Sequence, residues 1–487
     1  MRKIIILFTL LLILISCGQA EKKEIVILHW NDIHAHNTSW KPVRHNPKNH
    51  FVGGYAYVDA YLDSLKNVYP QALKINAGDD FQGTPVSSIS KGLSQIEILN
   101  AVGPDFFTIG NHEFDYGWKQ FSELIPKAKF DIYGANVLDE KTGKALLKRY
   151  KIYEFNGQKI AILGVTTDDL SGLTLSENLA GLKIASQIET TREIVEELKK
   201  KNIHLIIAVT HIGINKDKEL AEAVPELDLI VGGHSHTYLD EAEIVGNTKI
   251  VQTASYGRYI GEFRFSCDEK DITEFHYKLI EVVSDKIKPS ADVKKVVDKW
   301  ENKVAEKMDI VIGKLQSDWV KGGVESNIGN WLSDAMKNKT NSDIAFTNNG
   351  GIRKNLSAGD IKIRDIWEIA PFENTLVTFE ITGKELLNLV NFIIEKNSSV
   401  QQSGMKIIVD KKTDKVIEVS VNGAKIDANK KYEIVTNNYV FDHLDKYFGI
   451  TVENSNQTDL IDRNVFIEAV KKQKVIDSKI EGRIVFK

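Results

Sequence analysis

The chain has 487 residues, of which 42% are hydrophobic and 27% charged. That balance supports a large buried core, and the length suits two to four domains of about 150 residues each. A net charge of −4 leaves no electrostatic footprint for a nucleic acid, so a phosphate group would have to be held by metal ions and a few local arginines.

The first residues read as an address rather than as fold. Arg2-Lys3 precede an apolar run over 4–15, broken by Thr9, and Ser16-Cys17-Gly18 follow. The run has signal-peptide length and is too short for a comfortable membrane span. Leu14-Ile15-Ser16-Cys17 resembles the bacterial lipobox. That resemblance implies a signal segment over 1–17, cleavage before Cys17, and a lipid on the Cys17 thiol. The protein would then be an exported lipoprotein, periplasmic or at the cell surface, tethered to the membrane by residues 18–24. An ordinary secretory signal or a short anchor helix is the plainer alternative. The other cysteine, Cys267, lies in an alternating run over 262–267 and reads as a packing residue. With Cys17 lipidated, no internal disulfide can form.

From Glu24 onward, strands and helices alternate. Residues 25–28 are continuously apolar, hence a strand buried on both faces. The spacing of Tyr57, Tyr61, Leu65 and Val68 predicts a helix over 54–69, stopped by Pro70. Further strands are expected at 72–77, 106–109, 160–165, 204–209, 227–231, 249–253 and 261–265, with helices at 94–102 and 189–201. Turns are marked by Gly246-Asn247 and Tyr256-Gly257. The stretch 292–308 is charged, helical and free of Gly and Pro. It predicts a solvated helix joining two domains, the alternative being a surface helix within one. Beyond Val311 the pattern predicts helices at 328–337 and 384–396, strands at 344–347 and 375–381, and strands through Ile407, Val416 and Ile434. Asn422-Gly423 reads as a hairpin turn. The expected divisions are residues 25–288, a linker helix over 289–310, and 311–487. The class is a layered α/β or α+β domain with helices outside, followed by a second mixed domain.

The chemistry sits at strand ends. Asp32 and His34 follow the first strand, Gly78-Asp79-Asp80 the second, and Gly110-Asn111-His112-Glu113-Phe114-Asp115 the third. Thr210-His211 and Gly232-Gly233-His234-Ser235-His236 follow two later strands. Open α/β sheets place ligands at such carboxyl ends. Asp32, His34, Asp79, Asn111, His211, His234 and His236 offer oxygen and imidazole donors without a thiolate, a set that suits Zn²⁺, Mn²⁺ or Fe. These donors are too many for one catalytic ion with an open position. They suit two divalent ions bridged by one carboxylate, with Asp79 the expected bridge. Two cations about 4 Å apart lower the pKa of a shared water, orient a phosphate and stabilise charge on the attacking and leaving oxygens. His112 could then donate to a phosphate oxygen or the leaving group, with Asp115 holding its tautomer. Each piece alone has a plainer reading as a turn, a cap or a surface histidine. All of them in order at strand ends point to one site.

Asp32-x-His34, Gly78-Asp79-x-x-x-Gly83, Gly110-Asn111-His112-Glu113-x-Asp115, His211 and Gly233-His234-x-His236 resemble the motifs of the calcineurin-like metallophosphoesterases. Their order, with a long C-terminal part, is similar to the 5′-nucleotidase family, which includes bacterial UDP-sugar hydrolases. The resemblance implies a four-layer α/β/β/α catalytic domain and an α+β nucleotide-binding domain joined by the linker helix. It also implies that the donors above ligate two metal ions and that His112 and Asp115 form the catalytic dyad. Asn348-Asn349-Gly350-Gly351-Ile352-Arg353 is similar to a loop that supplies an Asn and an Arg to the nucleotide, here Asn348 and Arg353. Pro371-Phe372 and Asn438-Tyr439 resemble the segments whose aromatics sandwich the base, and Asp445 falls where the family places an acid on the ribose. Two departures bear on the substrate. Val324 stands where many members carry an arginine toward the phosphate, and His443-Leu444-Asp445-Lys446 stands where they read Gly-Gly-Asp-Gly.

The expected function is removal of phosphate from nucleoside 5′-monophosphates by in-line attack of a hydroxide bridging the ions. Alternatives are pyrophosphate cleavage in nucleotide sugars or dinucleotides and hydrolysis of 2′,3′-cyclic nucleotides. In a different class, a non-catalytic nucleotide-binding lipoprotein predicts missing ligands or a missing dyad, and neither is missing. The sequence specifies no oligomeric state.

Overall fold

The computed structural model describes residues 24–487 except 43–46, 156, 269–270 and 453. The signal segment and Cys17 lie outside the described residues. Among the described residues, no helix is long and apolar enough to cross a membrane.

Two six-stranded sheets pack face to face in the N-terminal part. The first runs in spatial order Ile272–Glu281, Tyr259–Cys267, β1 (Ile25–Trp30), β2 (Leu73–Asn76), β3 (Phe106–Thr108) and Ile132–Tyr133. β1, β2 and β3 are parallel to one another. The second runs Glu243–Val245, Thr248–Val251, Leu229–Val231, Leu205–His211, Gln158–Thr166 and Tyr150–Phe155, its central strands parallel. Side-chain alternation explains the continuous apolar runs. Ile25 and Ile27 join Leu205, Ile207 and Val209 in the core between the sheets. Val26, Leu28 and Trp30 meet the helices Tyr55–Val68 and Leu93–Val102 on the outer face. Ile206 and Ala208 meet Gln187–Lys200 and Ile214–Ala223 on the other. The layer order is helix, sheet, sheet, helix, and Cys267 packs against the central layer.

His29 shares that inter-sheet core. It is fully buried, its ring stacks on Tyr277 with centroids 5.9 Å apart, and among the described residues neither ring nitrogen has a hydrogen-bond partner. Burial lowers its pKa from 6.5 to about 3. The unfolded chain therefore binds a proton below pH 6.5 that the fold refuses until about pH 3. Its neutral form leaves full stability above that window, and stability falls by up to about 1.4 kcal/mol per pH unit as pH drops through it. His29→Leu is expected to flatten this part of the acid limb in melting temperature against pH. Parallel curves for the two proteins would show that His29 is not charged on unfolding.

The helix Ala291–Met308 differs from the expected solvated connector. Val293, Val297, Trp300, Val304 and Met308 form one buried stripe. That stripe faces Tyr55–Val68, Pro85–Ser90 and Leu93–Val102, and it also meets Ile363–Ile369 of the C-terminal part. Lysines and acids on the remaining faces mask an amphipathic period in the sequence.

The C-terminal part centres on a five-stranded sheet in the order Val400–Ser403, Ile344–Asn348, Lys431–Asn437, Thr375–Thr382 and Ser455–Ile461. Helices Asn327–Thr340 and Asp462–Gln473 cover one face and Gly383–Lys396 the other. Ile344–Asn348 and Lys431–Asn437 run parallel, so Asn348 and Tyr439 emerge at the same edge. Thr375–Thr382 is antiparallel to the latter and begins at that edge, which brings Phe372 there too. Asn422 and Gly423 have φ of 48° and 81°, the left-handed pair of a two-residue hairpin turn.

Candidate active site

Carboxyl ends of parallel strands from both sheets converge, and backbone ladders fix their loops. The Asp32, His34 and Ala35 amides donate to the carbonyls of Gly78, Asp79 and Asp80, each at 2.9 Å. Glu113, fully buried, accepts from the backbone N–H of Asp79 (3.1 Å), Asp80 (2.8 Å), Phe81 (3.2 Å) and Gly110 (2.6 Å). One carboxylate thus staples the loop after β2 to the loop after β3. Gln252 braces a third loop, donating to the Gly233 carbonyl (3.0 Å) and accepting from Ser235 Oγ (3.0 Å) and the Thr237 amide (2.5 Å). Sequence pattern assigns neither residue a role. An acid inside the Gly-Asn-His-Glu-x-Asp run is a signal for Glu113; none exists for Gln252.

Asp79 Oδ2 lies 3.0 Å from His211 Nε2, 3.8 Å from His34 Nε2 and 3.9 Å from His112 Nε2. Asp32 Oδ1 lies 3.2 Å from His236 Nε2 and 3.6 Å from His34 Nε2. Asn111 Oδ1 is 2.8 Å from His234 Nδ1. All the sequence-predicted metal donors are therefore brought together, with Asp79 between the Asp32–His34–His236 group and the His211–His234 group. Asp32, His34, Asp79, His234 and His236 have φ between 51° and 77°. For such residues that backbone costs roughly 1 kcal/mol each, so strain is concentrated where the donors converge. Gly233 permits a close approach: a Cβ there would lie 2.7 Å from His211 Nδ1 and 2.8 Å from the Ala77 carbonyl. Those two atoms make a 2.6 Å hydrogen bond.

That bond decides the fit for a cation. With Nδ1–H donating to Ala77, the lone pair of His211 Nε2 faces the Asp79 carboxylate. The Nε2 atoms of His34 and His236 likewise face each other at 2.9 Å. Burial opposes charge on His211, but Asp79 and Asp32 outweigh it and push its pKa up to about 10. The two buried carboxylates thus call for positive charge beside them. Burial holds His34 and His234 on the neutral side, the form that ligates metal. The cluster has the composition and the charge demand of a divalent-metal site.

His112 Nδ1 is 2.6 Å from Asp115 Oδ2, and the His112 amide donates to Asp79 Oδ1 at 2.9 Å. Burial opposes protonation of His112, but Asp115 and Asp79 together raise its pKa. The cluster floors a cleft of about 730 Å³ whose far wall belongs to the C-terminal part. Asn348, Arg353, Phe372 and Tyr439 line that cleft. Arg353 Nη2 comes within 3.4 Å of His34 Nε2, and Phe372 stacks on His112 with ring centroids 5.9 Å apart. The Tyr439 hydroxyl donates across the cleft to the Gly172 carbonyl at 2.9 Å.

Asp445 does not join them. It is exposed in the first turn of the short helix Leu444–Phe448, and Lys446 and Tyr447 line the wall instead. From Leu444 the chain winds into a helix, where each residue turns by about 100°. Val324 is 45% exposed and off the cleft wall, which leaves Arg353 the only guanidinium lining it among the described residues.

The sequence signature of the calcineurin-like phosphoesterases matches residues 25–238, and that of the 5′-nucleotidase C-terminal domain matches residues 311–451. Protein UshA of Yersinia enterocolitica is 28% identical, over 95% of this chain and 94% of that protein. The trifunctional nucleotide phosphoesterase protein YfkN of Bacillus subtilis is also 28% identical over 95% of this chain. The chain spans only about a third of YfkN and of another Bacillus subtilis relative, the endonuclease YhcR. The crystal structure of the 5′-nucleotidase precursor from Thermus thermophilus superposes with a TM-score of 0.86 at 26% identity, covering 95% of this chain and 99% of that one. The molecule thus has a two-domain α/β architecture with side-chain groups able to hold a metal ion in its phosphoesterase-like part. The chain carries a calcineurin-like phosphoesterase domain followed by a 5′-nucleotidase C-terminal domain.

Proposed function

We propose that this enzyme is an exported phosphohydrolase that removes phosphate from nucleoside 5′-monophosphates. It would hold two divalent ions through Asp32, His34, Asp79, Asn111, His211, His234 and His236, with Asp79 shared. The observation that supports this is the meeting of two chemistries in one cleft. Arg353 lies 3.4 Å from His34, and Phe372 5.9 Å from His112, so a base and a phosphate joined by one ribose have partners within reach of each other. Such ions, when bound, supply Lewis acidity and a water of lowered pKa.

The remaining work falls to the chain. Arg353 can take phosphate oxygens with paired N–H donors. His112, its Nδ1–H held by Asp115, keeps a proton on Nε2 for the leaving oxygen. Phe372 and Tyr439 offer ring faces to any base, and Asn348 an amide at the same edge. A second reading, cleavage of nucleotide pyrophosphates or cyclic diesters, draws support from Val324: one guanidinium suits a doubly charged terminal phosphate less well.

The test is hydrolysis by the purified mature protein of AMP, UDP-glucose, 2′,3′-cyclic AMP and glycerol phosphate, with and without Mn²⁺ or Zn²⁺. Preference for AMP supports the first reading and preference for either diester the second. Metal-independent or absent turnover of all four would overturn both. Arg353→Ala is expected to raise KM for AMP about tenfold with a smaller effect on kcat; an unchanged KM would remove Arg353 from the site. The lipobox supports a tether at Cys17. Labelled palmitate should enter the protein and be absent from Cys17→Ser; labelling of that variant would place the lipid elsewhere, and an unlabelled parent protein would remove the tether.

A further inference from the structure

The loop 371–374 that carries Phe372 is held from behind by the start of the helix Asp462–Gln473. We propose that Arg463 is a positioning residue that fixes this loop, and through it the Phe372 ring, so that it governs preference for phosphoesters bearing an aromatic base. The inference rests on the base-stacking reading of Phe372 given above.

The Arg463 side chain is 3% exposed. Its Cζ lies 3.4 Å from the centroid of the Trp367 ring, its Nη1 donates to the Pro371 carbonyl at 3.1 Å, and its Nη2 to Glu373 Oε1 at 3.2 Å. Next to it, the Asp462 amide donates to the Asn374 carbonyl at 2.9 Å. Residues on both sides of Phe372 are therefore gripped, and Phe372 itself is left to face the cleft. A planar guanidinium suits this task because its face can stack while its edge donates; an ammonium cannot do both.

Packing alone does not account for the residue. Burying a cation is costly, and Nε has no hydrogen-bond partner among the described residues. An apolar side chain would fill the space more cheaply. The anchor behind Arg463 is itself packed: Trp367 lies against the cluster that holds Trp300, Val304 and Met308 of the helix Ala291–Met308, which in turn packs on helices of the N-terminal part. The chain of contacts runs from that helix through Trp367, Arg463 and Pro371 to Phe372, and ends on the ring of His112. The position of the Phe372 ring relative to the dyad is thereby referred to the frame of the molecule rather than to a free loop.

Steady-state kinetics of the metal-loaded mature protein with AMP and with ribose 5-phosphate, which lacks only the base, test this. Arg463→Met keeps an unbranched side chain and removes the donors and the charge; Arg463→Lys keeps the charge and loses the planar stack. Arg463→Met is expected to raise KM for AMP about tenfold while ribose 5-phosphate changes by less than about twofold, the difference being one poorly placed base stack. Arg463→Lys should fall part of the way, and it carries the test alone if Arg463→Met does not fold. Loss of both substrates together, or a lowered melting temperature with an unchanged AMP preference, would show a purely structural residue and overturn the proposal. Phe372→Leu separates the two ideas. If it leaves AMP preference unchanged, the base-stacking reading fails; if it lowers that preference while both Arg463 variants do not, only the present inference fails.

Discussion

Asp79→Asn is expected to lower kcat by at least about 10³-fold. Asp79 is the hub of the cluster: Oδ2 faces His211, His34 and His112, while Oδ1 accepts the His112 amide. An asparagine keeps the shape and one oxygen. It removes the negative charge and turns an NH₂ group toward nitrogens or toward the His112 N–H. In the two-ion reading the shared ligand is lost, so calorimetric titration with Mn²⁺ or Zn²⁺ should show fewer sites or much weaker ones. Full activity in Asp79→Asn would end that reading.

His112→Ala should behave differently, lowering kcat by about 10²–10⁴-fold while metal stoichiometry stays that of the parent protein. His112 sits beside Asn111, but its Nδ1 is committed to Asp115 at 2.6 Å, and its Nε2 lies farther from Asp79 than that of His211 does. Its Nε2 also lies within reach of an ion held by His34 and Asp79, so the variant separates proton donation from metal binding. The measurement is metal content beside kcat. A variant that loses metal together with activity would move His112 into the ligand set.

Much of the architecture was legible because it is local. The run 25–28 is apolar throughout since β1 is buried on both faces, between helices and a second sheet. Asn422-Gly423 announced its turn because few other pairs accept two positive φ values. The helix Ala291–Met308 was legible as a helix but not as a packed one, since its buried stripe is diluted by charge on the other faces. Periodicity gives little sign of Asp462–Gln473, whose buried residues include Asp462 and Arg463.

From the sequence alone came the family, the layered class and a set of donors placed at strand ends. Those features depend on residues close together in the chain, and parallel strands carry their carboxyl ends to one edge whatever the loops do. Tertiary structure alone decided which side chains behind and beside the donors matter. Glu113 staples two loops, Gln252 braces a third and Arg463 grips the Phe372 loop from a helix 91 positions away in sequence. Asp445 and Lys446 are neighbours in the chain, yet only Lys446 lines the cleft. The physical reason is that side-chain direction and burial are set by how a segment rotates against partners distant in sequence, and one residue's turn of a helix is enough to exchange an acid for a base.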